Sequence, residues 1–506
     1  MTWLRCSRML HALFSLGIGI GVLLGGGALL GGCSLTPSVP APPAEASLPN
    51  RYTAPDSLGM ESLQDTTRTA SSRWWTAFGD TTLSTLVDSA LVANRDLRAA
   101  RARLEELAAQ FRIARAPLFP SATASSDRQY QNTPANTGIG GAIGGGRGPD
   151  RFEFVNYTAT LGLSYEIDLW GRVRSQRNAA LSQFFASAAD VHAARLTVIS
   201  QTLSAAFEIG ALRTQVRLTE ENVQLLRERL ELTQDRYARG LATSFELYTV
   251  RQQFEQARAD QPDRTRELYD AQTRLAVLLG RFAGAVPDEL RVDRAAAPVL
   301  EPVPPGLPAA LLMQRPDVQA AAARLEATRQ RIGAARARLL PSLSLTAEGG
   351  TQSADLASLV DVDQRFAAFV TSLTAPLFQG GALRAEVDAA RARYRQQVAT
   401  YEQTLLVAFR EVQAAVVAYA QQQQRYTRVQ QQEEAAQASV QAQRRRYERG
   451  IGDYLALVDA EQNLVQVQQR LAITRQAVLN ARLVLHRALG GTWTDAPSTD
   501  DPRLFR

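Results

Sequence analysis

One short pattern occurs twice in this chain. Residues 236–247 read RYARGLATSFEL and residues 446–457 read RYERGIGDYLAL, an offset of 210. In each copy a long helical pattern arrives, stops at glycine and restarts at once. Gly240 and Gly450 can take the left-handed backbone that ends a helix, so each copy marks the tip of a helical hairpin. The helices that reach these tips are unusually long. A pattern running from about Arg174 to Arg239 corresponds to about 100 Å of helix. Its apolar seam, Val216, Thr219, Val223, Leu226, Leu230, Thr233 and Tyr237, alternates steps of three and four, the spacing of a coiled coil. Leu247, Val250, Phe254, Ala257, Leu268, Ala271 and Leu275 continue the seam beyond the tip, where Pro262 is expected to kink or split the returning helix. The second hairpin has the same organisation, with Tyr426, Val429, Ala436, Val440 and Tyr447 before the tip. Leu457, Leu464, Leu471, Val478 and Leu485 follow it at intervals of seven.

The duplication extends beyond the tips. Arg315-Pro316-Asp317-Val318 opens a helical pattern as Asn94-Arg95-Asp96-Leu97 does, and Ala335–Ser342 corresponds to Ala114–Ser121. Each such stretch ends at a proline and is followed by residues with strand character. The clearest strand lies in the first half. From Val155 to Leu169 the odd positions are Val, Tyr, Ala, Leu, Leu, Tyr, Ile and Leu, and the even positions are Asn, Thr, Thr, Gly, Ser, Glu and Asp. Such alternation gives one apolar and one polar face, over a length greater than the roughly 9–11 residues that cross a bilayer in a barrel. Further strands are expected from Ser121 to about Tyr130, from Ser342, and from Phe366 to Leu377. A single helical pattern is expected from about Leu83 to Arg115.

The N-terminus reads as an address. Arg5 and Arg8 precede an apolar run, Leu10 to Leu30, which resembles a secretory signal. Leu30-Gly31-Gly32-Cys33 resembles the box at which bacterial lipoproteins are cleaved and acylated on the cysteine. A transmembrane helix with an incidental cysteine is the competing reading of the same run. The expected organisation is a signal peptide over 1–32, a lipidated, Pro-rich tether over 33–73, a first repeat over 74–283, a connector over 284–308, a second repeat over 309–491 and a tail over 492–506.

Composition excludes several function classes. The formal charge of +6 is a small excess of 56 basic over 50 acidic residues, interspersed along helices, and does not describe the clustered basic face of a nucleic-acid binder. The two cysteines, at 6 and 33, supply no disulfide framework. The Gly-rich stretch after Asn132 has no phosphate-loop lysine and is followed by a strand, so it reads as a hairpin loop. His11, His192 and His486 are scattered, and no catalytic constellation, cofactor site or metal-ligand spacing stands out.

Four membrane-type strands cannot close a barrel alone, and open sheet edges are not viable in lipid. The barrel must be shared: two chains would give a filled eight-stranded barrel, and three give twelve strands with a usable lumen. The expected fold is therefore an α+β membrane protein, a trimeric 12-stranded transmembrane β-barrel with four strands per chain, continued by an α-helical coiled-coil tunnel.

The chain resembles the TolC-like outer-membrane efflux proteins, in particular their NodT-type lipoprotein branch. The resemblance rests on the box at Cys33, Trp74-Trp75 with Phe78-Gly79-Asp80, Asp168-Leu169-Trp170-Gly171-Arg172, Arg315–Val318, Phe378-Gln379-Gly380-Gly381, and Arg446-Tyr447 with Gly450, Tyr454-Leu455 and Asp459-Ala460. It implies a homotrimer in the outer membrane, docked to a periplasmic adaptor and an inner-membrane pump of the RND type, passing drugs or other small toxic molecules through a passive duct. It also implies a constriction at the second tip, carried here by Leu455 and Asp459, which share one helix face, with Asp453 beside them and Gly240 and Gly450 at the tips that meet the adaptor. Where the family often has arginine three residues after the aspartate, this chain has Gln462, which puts a salt-bridged ring in doubt. A channel for type I protein secretion and a pore-free periplasmic coiled-coil lipoprotein are the alternative functions.

Overall fold

The computed structural model describes residues 35–38, 73–134, 151–282 and 312–491. The proposed signal peptide, Cys33, most of the tether, the Gly-rich loop, the connector and the tail lie outside the described residues.

After a 3-10 turn at Trp74–Phe78 the elements are α1 (Thr81–Ala93), α2 (Arg95–Arg115), β1 (Ser121–Pro134), β2 (Arg151–Ile167), α3 (Arg172–Ala238) and α4 (Ser244–Leu278). They continue as α5 (Pro316–Ala337), β3 (Ser342–Ser353), β4 (Arg365–Thr374), α6 (Ala382–Glu448) and α7 (Tyr454–Ala488). The two halves are closely matched: α3 and α6 each have 67 residues, α4 and α7 each have 35. At 1.5 Å per residue the two longest helices each span about 100 Å.

Three expectations are corrected. The pattern from Leu83 to Arg115 is two helices, because Asn94 leaves the helical region (ψ 129°) and caps α2 by accepting a hydrogen bond from the Leu97 amide at 3.0 Å. The 3.6-residue periodicity runs on across that break, which hides it. Pro262 does not split α4; its ring is on the exposed side, where water can serve the carbonyl that loses its partner. The fourth strand stops at Thr374, short of Leu377, at the approach to Pro376.

The four strands form one antiparallel sheet in the order β1-β2-β3-β4, so β1 and β4 are its edges. Cross-strand register carries the alternation of β2 onto β3 and the first residues of β1. Leu161 lies opposite Ala124 and Gly349, Leu163 opposite Ala122 and Ala347, and Tyr165 opposite Leu345. Leu345, Ala347 and Leu343 in turn face Thr371, Phe369 and Leu373. Across β2 and β3 one face is thus mainly Leu, Ala, Tyr and Ile and the other mainly Ser, Thr and Glu. β4 adds Thr371 to the first face and Phe366, Ala368 and Val370 to the second, and β1 adds Ser126 and Arg128 to the first. No core backs the apolar face: Leu161, Leu163, Phe369 and Leu373 are exposed in the single chain.

The junction of β2 with α3 is fixed by Asp168 and Trp170, whose counterparts in the second half are Phe378 and Gly380. Asp168 accepts the Val173 and Arg174 amides at 3.1 and 2.9 Å and so caps α3, while the Trp170 indole donates to the Pro341 carbonyl. Along α3, neighbours are α1, α2, α4, α5 and α7; α6 packs against α5 and α7. The apolar core is concentrated mid-chain, where Trp74, Trp75, Phe78, Phe207, Leu275 and Leu483 meet. There the His486 ring stacks on Trp74 at 4.8 Å and accepts a hydrogen bond from Arg482 at 3.0 Å. Burial, and secondarily the Arg482 charge, push the His486 imidazole down to about 3. Toward the tips the core thins to Val223, Leu226, Phe254 and Ala257. Among the described residues no helix is long and apolar enough to cross a membrane.

Candidate functional site

Both tips stop their helix in the same way. Gly240 and Gly450 have φ of 73° and 72°, and the following amides, Leu241 and Ile451, reach back to the Arg236 and Arg446 carbonyls at 2.8 and 3.0 Å. A 6→1 bond of this kind satisfies carbonyls that the helix end leaves open.

The restarts differ. At the first tip Thr243 and Glu246 form a reciprocal capping box, with bonds of 3.2 and 2.8 Å. At the second, Asp453 accepts the Leu455 amide at 3.2 Å, so its carboxylate serves as a helix cap. The second tip is also tighter. A β-carbon on Gly452 would sit 2.8 Å from the backbone of Arg446 and Tyr447, whereas the corresponding first-tip position is Ala242.

Leu455 is half-buried and turned toward the first hairpin. With Arg229, Thr233, Phe245, Thr249 and Val250 it lines a cavity of about 110 Å³. Phe245 and Thr249 are the positions that the offset of 210 equates with Leu455 and Asp459. The fold therefore sets the two divergent copies against each other.

One turn beyond Leu455, the Asp459 carboxylate lies 2.9 Å from Nη1 of Arg229 on α3. The Arg229 side chain is 10% exposed and that of Asp459 62%. Gln462 and Gln253 offer further acceptors to the same nitrogen at 3.3 and 3.5 Å. The carboxylate whose ring partner was in doubt from Gln462 thus has a partner within its own chain, and Gln462 supports that partner. Arg229 was not singled out from the sequence, because Arg-Glu-Arg at 227–229 reads as a solvated face. The available signal was its spacing, three after Leu226 and four before Thr233, which places it on the inward stripe.

Within the second hairpin, Arg444 pairs with Glu461 at 2.8 Å. The Tyr447 and Tyr454 rings meet at 5.5 Å and 56°. Burial, then the nearby Glu228 and Glu461 charges, raise the Tyr454 hydroxyl above its ordinary range. Nothing in this arrangement activates a nucleophile or poises a base. Its capability is mechanical: polar and apolar links hold α7 against α3 at the end of the hairpins.

The family model for outer membrane efflux proteins matches residues 86–281 and again 307–491. The chain is similar to the antibiotic efflux pump outer membrane protein ArpC of Pseudomonas putida, 34% identical over 424 residues, which are 83% of this chain and 85% of that protein. It is equally similar to the outer membrane protein OprJ of Pseudomonas aeruginosa, 34% identical over 84% of this chain and 87% of that one. Among solved structures, the CmeC outer membrane channel of Campylobacter jejuni superimposes with a TM-score of 0.80 at 26% identity, covering 93% of this chain and 97% of that one. With two matches of the family model across both halves and relatives of this identity over most of its length, the chain belongs to the outer membrane efflux protein family.

Proposed function

We propose that three copies of this chain close a twelve-stranded barrel in the outer membrane and that their paired hairpins continue it as a periplasmic tunnel. The observation that carries the reading is the sheet. Across β2 and β3 one face is apolar and uncovered and the opposite face is mainly polar, and the outer edges of β1 and β4 are unpaired among the described residues. Such a surface is costly in water, and its open edges are costly in lipid. Pairing β4 of one copy with β1 of the next removes both costs, with the apolar face toward lipid and the polar face toward the lumen.

On this reading the duct is the outer-membrane part of a tripartite, RND-type system that exports drugs or other small toxic molecules, and energy comes from the inner-membrane pump. The names of the relatives support that assignment. The tips at Gly240 and Gly450 meet the periplasmic adaptor, and Cys33 carries the acyl anchor. Leu455 and Asp459 narrow the inner mouth, Asp453 shapes the turn beside them, and the Arg229–Asp459 pair holds the second hairpin closed against the first.

The test is cross-linking of the purified protein in detergent followed by conductance in planar bilayers. Trimers that form discrete channels are expected; a monomer without conductance would overturn the reading. A functional pore whose deletion leaves drug susceptibility unchanged but abolishes export of a polypeptide would move it to protein secretion.

A further inference from the structure

The apolar seam of the second hairpin is broken by a charge on each of its helices. On α6 the three-four spacing runs through Tyr426, Val429, Ala436 and Val440 and skips one position, which is Glu433. On α7 Arg475 follows Leu471 by four and precedes Val478 by three, so it too takes a seam position. The repeat asks for neither charge. The offset of 210 equates Glu433 with Val223, which is buried, and Arg475 with Thr265, which is exposed.

Both charges line one cavity of about 260 Å³ between α3, α6 and α7. Gln468, which donates to Glu433 at 3.4 Å, marks its acidic end. Arg475, with Tyr426 beside it, lies two turns and about 10 Å further along α7. Leu471 and Ala472 lie between the two on α7, and Ala211 and Leu218 of α3 wall the same space.

The chain satisfies neither end. Gln437 and Gln468 both donate to Oε1 of Glu433, and Oε2 accepts nothing among the described residues. Nε and Nη2 of Arg475 are shut off from water and have no hydrogen-bond partner among the described residues. Nη1 is the nitrogen that the cavity reaches. Burial pulls the Arg475 pKa down and only Tyr426 opposes it, whereas Arg315, held by two carboxylates, is raised. A buried charge without a counter-charge is costly, and so is a buried donor without an acceptor.

We propose that this cavity binds an amphoteric small molecule, with its carboxylate on Arg475, its cationic end on Glu433 and an apolar spacer against Leu218 and Leu471. The carboxylate meets Nη1 and, as the guanidinium turns, takes Nη2 as well in a bidentate pair. The cationic end donates to Oε2 of Glu433. The site is complete within one chain and lies on the order of 20 Å along α7 from Asp459. Because α3 belongs to the first hairpin and α6 and α7 to the second, an occupant ties the two together well away from their tips.

The experiment is calorimetric titration of the full-length protein in nanodiscs with ω-aminooctanoate, octanoate and octylammonium. Saturable binding of ω-aminooctanoate is expected, and Arg475→Gln and Glu433→Gln should each weaken it at least about ten-fold, the change produced by losing one charge-assisted hydrogen bond. Octanoate should respond to Arg475→Gln alone and octylammonium to Glu433→Gln alone, so the ligand that each variant still binds shows that the variant is folded. Ala472→Trp, which fills the cavity and keeps both charges, should abolish binding of all three. The shorter ω-aminobutanoate, unable to reach both ends, should bind no better than octanoate. Absence of saturable binding by any of them, or binding that both charge variants leave unchanged, would overturn the site. Octanoate bound as tightly as ω-aminooctanoate, with Glu433→Gln affecting neither, would overturn the two-ended ligand.

Discussion

The two hairpins are alike in length, turn glycine and backbone hydrogen bonding, and unlike at the few positions where they meet. Arg229 of the first corresponds to Ser439 of the second, and Asp459 of the second corresponds to Thr249 of the first. Each half has one member of an ion pair and lacks the other, so the pair forms only between hairpins. The same division appears at the other end. Asn94 and Arg315 both begin a helix and both donate to the last carbonyls of a returning helix, Leu278 at 3.1 Å and Ala488 at 2.8 Å. Asn94 does so as a neutral cap. Arg315 also binds Asp317 and Glu411 at 2.8 and 2.7 Å. Burial opposes its charge, but the bonds to the two carboxylates outweigh that and leave the guanidinium pKa raised. Repetition supplies the walls, and the substitutions between copies supply the contacts that join them.

The largest asymmetry is therefore expected at that junction. Arg315→Met leaves two carboxylates and a carbonyl without their donor. Because both carboxylates are about half exposed, the cost is about 2–3 kcal/mol rather than the 3–5 of a fully buried pair. Asn94→Leu removes a cap and one hydrogen bond, about 1–2 kcal/mol. Thermal unfolding of the purified protein checks the difference. Equal losses would mean that the two junctions are energetically equivalent despite their chemistry.

At the tips, Gly452→Ala drives a β-carbon into the backbone of the preceding helix end, at a cost of about 2 kcal/mol. The mirror change, Ala242→Gly, costs about 0.5–1 kcal/mol through backbone entropy alone. Amide exchange at the two tips separates these, with protection near Tyr447 falling by a factor of about thirty in the first variant.

A third difference is pH-dependent. His486 corresponds to Ala276, which is buried without a titrating group. The folded imidazole is depressed to about 3 against an ordinary value near 6.5. Its contribution is therefore complete above pH 6.5 and is lost progressively as pH falls toward 3. By pH 5 the loss is about 2 kcal/mol. His486→Phe should flatten the pH dependence of the unfolding temperature over that range, and an unchanged slope would assign it to other groups.

What could be read from the sequence follows from what each signal averages over. The seam from Val216 to Tyr237 repeats often enough to define a helix length, and β2 alternates long enough to define two faces. Single contacts carry no such repetition. Asn94 breaks a helix without breaking its period, Pro262 is tolerated because its side of α4 faces water, and Asp453 caps a turn with a residue that also suits a pore. Arg229 lies between two other charges of its own helix, and its partner is 230 residues away. Nothing local distinguishes it from Arg227. The fold was legible through periodicity, whereas the latch depends on which two helices the fold brings together.

The smallest expected energy has the clearest functional readout. The Arg229–Asp459 pair is half open to solvent, so a double-mutant cycle with Arg229→Met and Asp459→Asn should give a coupling of about 1 kcal/mol. If this pair holds the second hairpin closed, each single variant should raise single-channel conductance and the double variant should add little to either. Leu455→Ala acts on the apolar side of the same contact, and combined with Asp459→Ala it should raise conductance further. Salt gives an independent check. At 1 M ionic strength the screening length falls to about 3 Å, so high salt should raise the normalised conductance of the unmodified protein toward that of Asp459→Asn. Purely additive effects of the two charge variants, or a salt response that survives both of them, would show that the carboxylate acts on permeating ions from the lumen and not through Arg229.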